Sequence, residues 1–266
     1  MAAMTRIFKP QFSSIFKRSL STSTVTEDVN KARCFQWVFL GCPGVGKGTY
    51  ASKLSNLLGV PHIATGDLVR HELSTSGPLS SQLEVINQGK LVSDEIIFNL
   101  LSKRLEDGES RGESGFILDG FPRTIRQAEI LDSVTEIDLV VNLKLREDVL
   151  IEKCLGRRTC SECGKGFNVA SINVKAKNGL PAMIMPPLPP PPNCASKLIS
   201  RADDTESVVK ERLRVYKEKS QPVEDYYRKQ GKLMEFDLPG GIPESWPKLL
   251  EALNLDDYNH KKSAVA

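Results

Sequence analysis

The chain has no apolar run approaching the ~20 residues that a membrane-crossing helix requires, so no bilayer span organises it. Aromatic residues make up only 6% of the sequence, too few to interleave with basic residues as a stacking surface for single-stranded nucleic acid. Neither sign of charge dominates: 36 Lys and Arg face 33 Asp and Glu, for a net charge of +3. Arg6, Lys9, Lys17 and Arg18 supply four of those positive charges, so the chain after residue 26 carries 3 − 4 = −1, which excludes a general nucleic-acid binder. The six cysteines, Cys34, Cys42, Cys154, Cys160, Cys163 and Cys194, lack the density of a secreted disulfide scaffold and read as thiols.

What is present suits one α/β domain with insertions: 266 residues, of which 40% are hydrophobic. The first 26 residues contain no acid, are rich in Ser and Thr, and place Ile7, Phe8, Phe12, Ile15 and Phe16 where one helical face can collect them. This is the composition of an organelle transit peptide. Arg18-Ser-Leu-Ser points to a mitochondrial matrix destination, with the chloroplast stroma as the alternative.

The organising stretch is Trp37 to Thr49, where an apolar run breaks into glycines and a lysine. Gly41, Gly44, Gly46 and Gly48 leave the backbone free to turn its N–H groups onto phosphate oxygens, and Lys47 adds a point charge. Ala51, Leu54, Leu57 and Leu58 recur at helical spacing up to Gly59, so a helix N-terminus would add its dipole. Strand, glycine loop and helix thus come in the order that anion binding requires. The general motif has Ser or Thr directly after the lysine, whereas Gly48 precedes Thr49 here.

Further along, Thr65-Gly-Asp-Leu-Val-Arg70 reads either as an anion-binding turn or as a capped helix. His62, between apolar residues, reads as structural. A short helix is expected over 79–87 and a turn at Gly89-Lys-Leu-Val92; Ser93 should cap a helix with the acidic first turn Asp94-Glu95. Gly115-Phe-Ile-Leu-Asp119 fits a buried parallel strand with a carboxylate at its C-terminal edge, although Asp119 could instead cap a helix beginning near Thr124. Asp138 to Leu145 is a second apolar strand, and Glu147 to Arg158 a helix ending in Arg157 and Arg158. Cys160-Ser-Glu-Cys163 and Cys194 form three-quarters of a zinc knuckle, with Lys197 in the fourth place and no histidine nearby, so a structural zinc is not expected. Pro186 to Pro192 is a stiff polyproline spacer. Arg201 and Arg212 flank a helix start near Asp203; both could be solvated. A strand around Leu233 to Phe236 and a helix from Trp246 to Leu253 close the chain.

In this order, the loop Gly41 to Thr49, Thr65-Gly-Asp, Gly89-Lys-Leu-Val, Asp119-Gly-Phe-Pro-Arg-Thr, Gly156-Arg-Arg and Arg201-Ala-Asp-Asp resemble the adenylate kinase family, long-lid type, from about Cys34 to Leu253. The resemblance implies a doubly wound parallel sheet core (27–64, 95–158 and 198–266), an AMP-binding insertion (65–94) and a lid (159–197). It implies reversible phosphoryl transfer from Mg-ATP to AMP, with small nucleotides as partners, no nucleic acid, no membrane and a monomer as the expected form. Gly44, Val45, Gly46, Lys47, Gly48, Thr49, Arg157 and Phe167 would bind ATP. Thr65, Arg70, Lys90, Leu91, Val92, Gly120, Phe121, Pro122, Arg123, Gln127, Arg201 and Arg212 would bind AMP. Lys47, Arg123, Arg157, Arg201 and Arg212 would surround the transferring group, and Asp119 would order the magnesium hydration, with no general base needed. The resemblance also leaves open a nucleoside monophosphate kinase of other specificity, or a nucleotide-binding scaffold without activity. Lys153 stands where relatives carry an arginine that stacks on the donor adenine, which would loosen donor selectivity.

Overall fold

Gln36–Gly41 forms the central strand, β1, and all six of its residues are buried. A strand with neighbours on both edges and helices over both faces has no solvent side, so its sequence shows no alternation. The computed structural model describes residues 35–75, 88, 90–177 and 179–256. The proposed leader, Cys34, the 79–87 helix, Gly89 and the chain beyond 256 lie outside them.

From β1 the chain runs through α1 (Lys47–Leu58), β2 (His62–Ala64), α2 (Thr65–Thr75), α3 (Asp94–Ser110), β3 (Phe116–Asp119), α4 (Ile125–Val134), β4 (Leu139–Lys144) and α5 (Glu147–Leu155). After the inserted segment come α7 (Glu206–Val215), a π-helical turn (Tyr216–Ser220), α8 (Gln221–Lys229), β10 (Leu233–Asp237) and α9 (Ile242–Ala252). Five parallel strands lie in the order β10-β4-β1-β3-β2. Phe39, Val141 and Leu143 pack on one face with Ala51, Leu54 and Leu249. Val38, Leu118 and Val140 pack on the other with Phe98, Leu131 and Tyr227. This is the expected doubly wound α/β sheet, and it lines up the C-terminal ends of β1 and β3, where the glycine loop and Asp119 lie.

The segment between α5 and α7 is built differently. β5 (Arg157–Cys160), β6 (Gly166–Asn168) and β9 (Leu198–Ile199) form a small antiparallel sheet, while β7 (Ile172–Val174) and β8 (Met183–Met185) form a separate hairpin. A short helix, α6 (Pro192–Ala195), follows the polyproline stretch. The hairpin rests on the core: Ile172, Met183 and Met185 bury against Val149 of α5. Arg146 Nη1 donates to the Pro181 carbonyl at 2.7 Å.

Three expectations need correction. Arg157 and Arg158 lie on β5, because α5 ends at Leu155 and Gly156 turns the chain into the strand. The last helix begins at Ile242, not Trp246, because Pro243 suits its first turn and needs no N–H partner. Ser93 stands at the N-cap position of α3, but its side chain makes no capping bond.

Candidate active site

The glycine loop turns tightly under two constraints. Gly44 has φ +86°, and a Cβ there would stand 2.7 Å from both Leu150 O and Cys154 Sγ, so only glycine lets the loop lie on α5. Lys47 opens α1 and donates from Nζ to Gly41 O at 2.6 Å and Cys42 O at 3.0 Å. Loss of water around this ammonium lowers its pKa to about 8, against the partial support of Asp119. A Cβ at Gly48 would stand 3.2 Å from Asp119 Oδ2, so a larger residue directly after the lysine would crowd the carboxylate.

Asp119 ends β3, with His62 Nε2 of the neighbouring strand 3.4 Å from its Oδ2. Its carbonyl accepts from Thr65 Oγ1 at 3.0 Å. Thr124, not Asp119, caps α4, its hydroxyl accepting from Gln127 N. The carboxylate of Asp119 is thereby left to the cleft.

Arg123 follows on the same turn. Its Nε donates to Gly120 O at 2.7 Å, and burial together with the nearby Arg212 and Arg70 lowers its pKa to about 10. Arg157 reaches from β5 to Asp204 (2.8 and 2.5 Å), and Arg212 pairs with Asp203 at 2.8 Å. Arg201 approaches Asp67 at 3.4 Å; Arg70 also pairs with Asp67. Burial, then Arg157 and Arg70, brings Arg201 to about 10. Arg201 and Arg212 do not share one helix: Asp204 N donates to Arg201 O in a turn, and α7 starts only at Glu206.

The result is an open cleft lined by Lys47, Thr65, Arg70, Lys90, Leu91, Val92, Gly120, Pro122, Arg123 and Arg212. Lys47, Arg70, Lys90, Arg123 and Arg212 line it against one carboxylate, Asp203, and the Arg157–Asp204 and Arg201–Asp67 pairs stand outside this lining. Burial first, and then the neighbouring positive charges, lower the pKa values of Lys47 and Arg123, a cost that a bound polyanion would relieve.

Other expected residues stand elsewhere. Phe121 is fully buried, edge-on to Phe98, and so backs the cleft wall instead of facing it. Gln127 is also fully buried, its Oε1 accepting from Arg123 N at 2.7 Å and its Nε2 donating to Asp94 Oδ1 at 2.6 Å. The amide expected to read an adenine edge is thus engaged at both ends. Val45 is buried beneath the glycine loop, and Phe167 lies on β6 opposite Arg158. Lys153 Nζ donates to the Val45 carbonyl at 3.2 Å, and burial lowers its pKa to about 8. Cys160, Cys163 and Cys194 come together, while Lys197 pairs with Glu162 at 2.5 Å.

Sequence reasoning missed the acidic partners Asp67, Asp94, Asp203 and Asp204 and the hydroxyl of Ser220, which donates to Arg123 O at 3.1 Å. The Asp203-Asp204 pair beside an arginine was a visible signal; nothing in the sequence marks Ser220.

Comparison with known proteins bears on this arrangement. A family model described as adenylate kinase matches residues 39–232. Adenylate kinase 1, chloroplastic, of Arabidopsis thaliana is 76% identical over 237 residues, covering 89% of this chain and 84% of that protein. Adenylate kinase of Solanum tuberosum is 67% identical over the whole of both chains. Probable adenylate kinase 1, chloroplastic, of Oryza sativa subsp. japonica is 70% identical over 94% of this chain and 86% of that protein. The expected mitochondrial destination is overturned by these relatives: two of the three are named chloroplastic, whereas a rice relative named mitochondrial is only 41% identical. The Arg-Ser-Leu-Ser signal misled because acid-poor, Ser-rich leaders serve both organelles. With the parallel sheet, the glycine loop and the arginine-lined cleft in place, the match over most of its length makes the chain a member of the adenylate kinase family, an ATP:AMP phosphotransferase.

Proposed function

We propose that ATP and AMP meet across this cleft, with the glycine loop holding the donor phosphates and α2, the loop 90–92 and Arg123 holding the acceptor. The observation that carries the reading is the convergence of Lys47, Arg123 and Arg212 on one cavity, where burial first and neighbouring like charges second lower their pKa values. Charge spreads over the equatorial oxygens of a transferring phosphoryl group, and fixed cations stabilise it without reorganising. Thr65 and Arg70 would receive the acceptor phosphate, and Gly120 and Pro122 would shape the wall beside it. Arg157 and Arg201 reach in from either side of the insertion, whose remaining job is to exclude water so that ATP is not hydrolysed. Bringing a nucleotide into contact with them would exchange their Asp204 and Asp67 partners for phosphate oxygens.

The carboxylate at the edge of β3 fits magnesium better than a softer metal: Asp119 Oδ2 lies beside Gly48, at the start of α1 and next to Lys47. With the donor phosphates, this carboxylate would hold the ion, which would supply charge neutralisation for transfer. Lys153, through Val45, would hold the loop. The chloroplast is the compartment favoured by the relatives' names.

The test is a coupled assay on the chain lacking residues 1–26, with Mg-ATP as donor and AMP, GMP, CMP and UMP as acceptors. Turnover confined to AMP is expected. Arg123→Ala should lower kcat/KM by on the order of 10³; an unchanged value would remove Arg123 from the site.

A further inference from the structure

Cys160, Cys163 and Cys194 lie outside the phosphate chemistry, yet their three sulfurs all stand within 4.8 Å of one another. We propose that Cys163 and Cys194 are a modification site: they close into a reversible disulfide by exchange with an external disulfide, forming a covalent clasp at the base of the insertion.

The backbone imposes the approach. On one side, Cys160 N donates to Lys165 O and Gly164 N to Cys160 O, both at 3.0 Å, which curls the Cys-x2-Cys turn. On the other, Lys197 N donates to Cys194 O at 3.0 Å, and Ser161 N donates to Lys197 O at 2.9 Å, which stitches the two arms together. Cys163 Sγ and Cys194 Sγ are therefore 3.6 Å apart across a separation of 31 residues. A disulfide needs that gap to shrink to about 2.05 Å, a shift within the reach of side-chain rotation. A closed tetrahedral metal site would need a fourth ligand, and the ammonium of Lys197, paired with Glu162, cannot serve as one.

Access and reactivity divide the labour. Cys163 is exposed, while Cys160 and Cys194 are buried, so an outside disulfide meets Cys163 first. Backbone N–H groups of Cys163 and Glu162 point at the Cys160 sulfur and lower its pKa to about 7. Burial, with the two neighbouring sulfurs, pushes Cys194 up to about 11. In the first step the Cys163 thiolate attacks one sulfur of R–S–S–R; that S–S bond breaks and RSH leaves. In the second, Cys194 attacks Cys163 Sγ, the Cys163–SR bond breaks, and the proton of Cys194 leaves with the second RSH. Two protein thiols are oxidised by two electrons and one external disulfide is reduced to two thiols; a dithiol reverses the reaction. The clasp would tie β5, which carries Arg157, to α6, from which the chain runs through β9 to Arg201.

The full chain, first reduced, is incubated with oxidised glutathione or with dithiothreitol. Expected after oxidation are the loss of two alkylatable thiols, a mass lower by about 2 Da, a peptide linking Cys163 to Cys194, and a Tm higher by on the order of 5 °C, all reversed by dithiothreitol. Cys163→Ser and Cys194→Ser should lose the link and the Tm shift together, while Cys160→Ser keeps the link. Full alkylation of every thiol after oxidation would overturn the proposal. So would a Cys160–Cys163 link, a stable glutathione adduct at Cys163, or one equivalent of zinc that persists through the oxidant.

Discussion

The sheet and the inserted segment between Gly156 and Arg201 spend their apolar residues differently. In the sheet, Val38, Phe39, Ile117, Val140 and Val141 are fully buried between two helical layers. In the insertion, the buried residues are Cys160, Ile172, Met183, Met185 and Cys194, while Val169, Leu180, Ile184, Leu188 and Ile199 remain open to solvent. Burying a large aliphatic side chain stabilises by roughly 1.5–3 kcal/mol, so the first region holds its shape by packing alone. The second depends on backbone bonds and on what it can borrow from α5. On the proposed reading the two regions divide the work: the densely packed one would hold the donor phosphates through the glycine loop, and the sparsely packed one would present Arg157 and Arg201.

Breaking the rigid side of this comparison should have the largest effect. Lys47→Met should lower kcat by more than about 10³ with an unchanged Tm, because Nζ contacts loop carbonyls and not the core; steady-state kinetics beside a thermal melt checks both halves. Next in size, Met185→Ala should cost about 3 kcal/mol locally and loosen the hairpin alone. Amide hydrogen exchange should rise over 172–185 and stay unchanged over β1 and β4; a uniform rise would mean that the two regions unfold as one.

A smaller effect concerns pH. The Lys47 ammonium, at about 8 in the free protein, is charged below that pH and loses its proton above it. Phosphate oxygens favour the charged form, so the Kd for ATP should stay flat from pH 6.5 to 7.5. It should then rise by up to about tenfold per unit above pH 8, with proton uptake on binding detectable by calorimetry in buffers of different ionisation enthalpy. Lys47→Arg should flatten this profile. The smallest effect belongs to Ser220→Ala, which removes one hydrogen bond to the Arg123 carbonyl and should lower kcat/KM by roughly fivefold.

The rigid region was also the legible one. Strand β1, the glycine loop and α1 are contiguous, so a periodic pattern and four glycines sufficed to place them, and Asp119 followed from an apolar triplet ending in a carboxylate. What stayed hidden depends on partners far along the chain. Arg157 meets Asp204 across 47 residues, and Arg201 meets Asp67 across 134. Gln127 looked free for a base because its partner Asp94 is 33 residues away and read as a helix-dipole acid. Strands of two to four residues in the insertion are too short for any period to show, so Arg157 and Arg158 read as the end of a helix.

The docking of the hairpin on α5 bears on what carries the insertion. Arg146 holds the Pro181 carbonyl, and Val149 is buried against Ile172, Met183 and Met185. The segment between Asn168 and Cys194 is thus moored to α5, so its weight does not hang from the two short strands, β5 and β9, that lie beside Arg157 and Arg201.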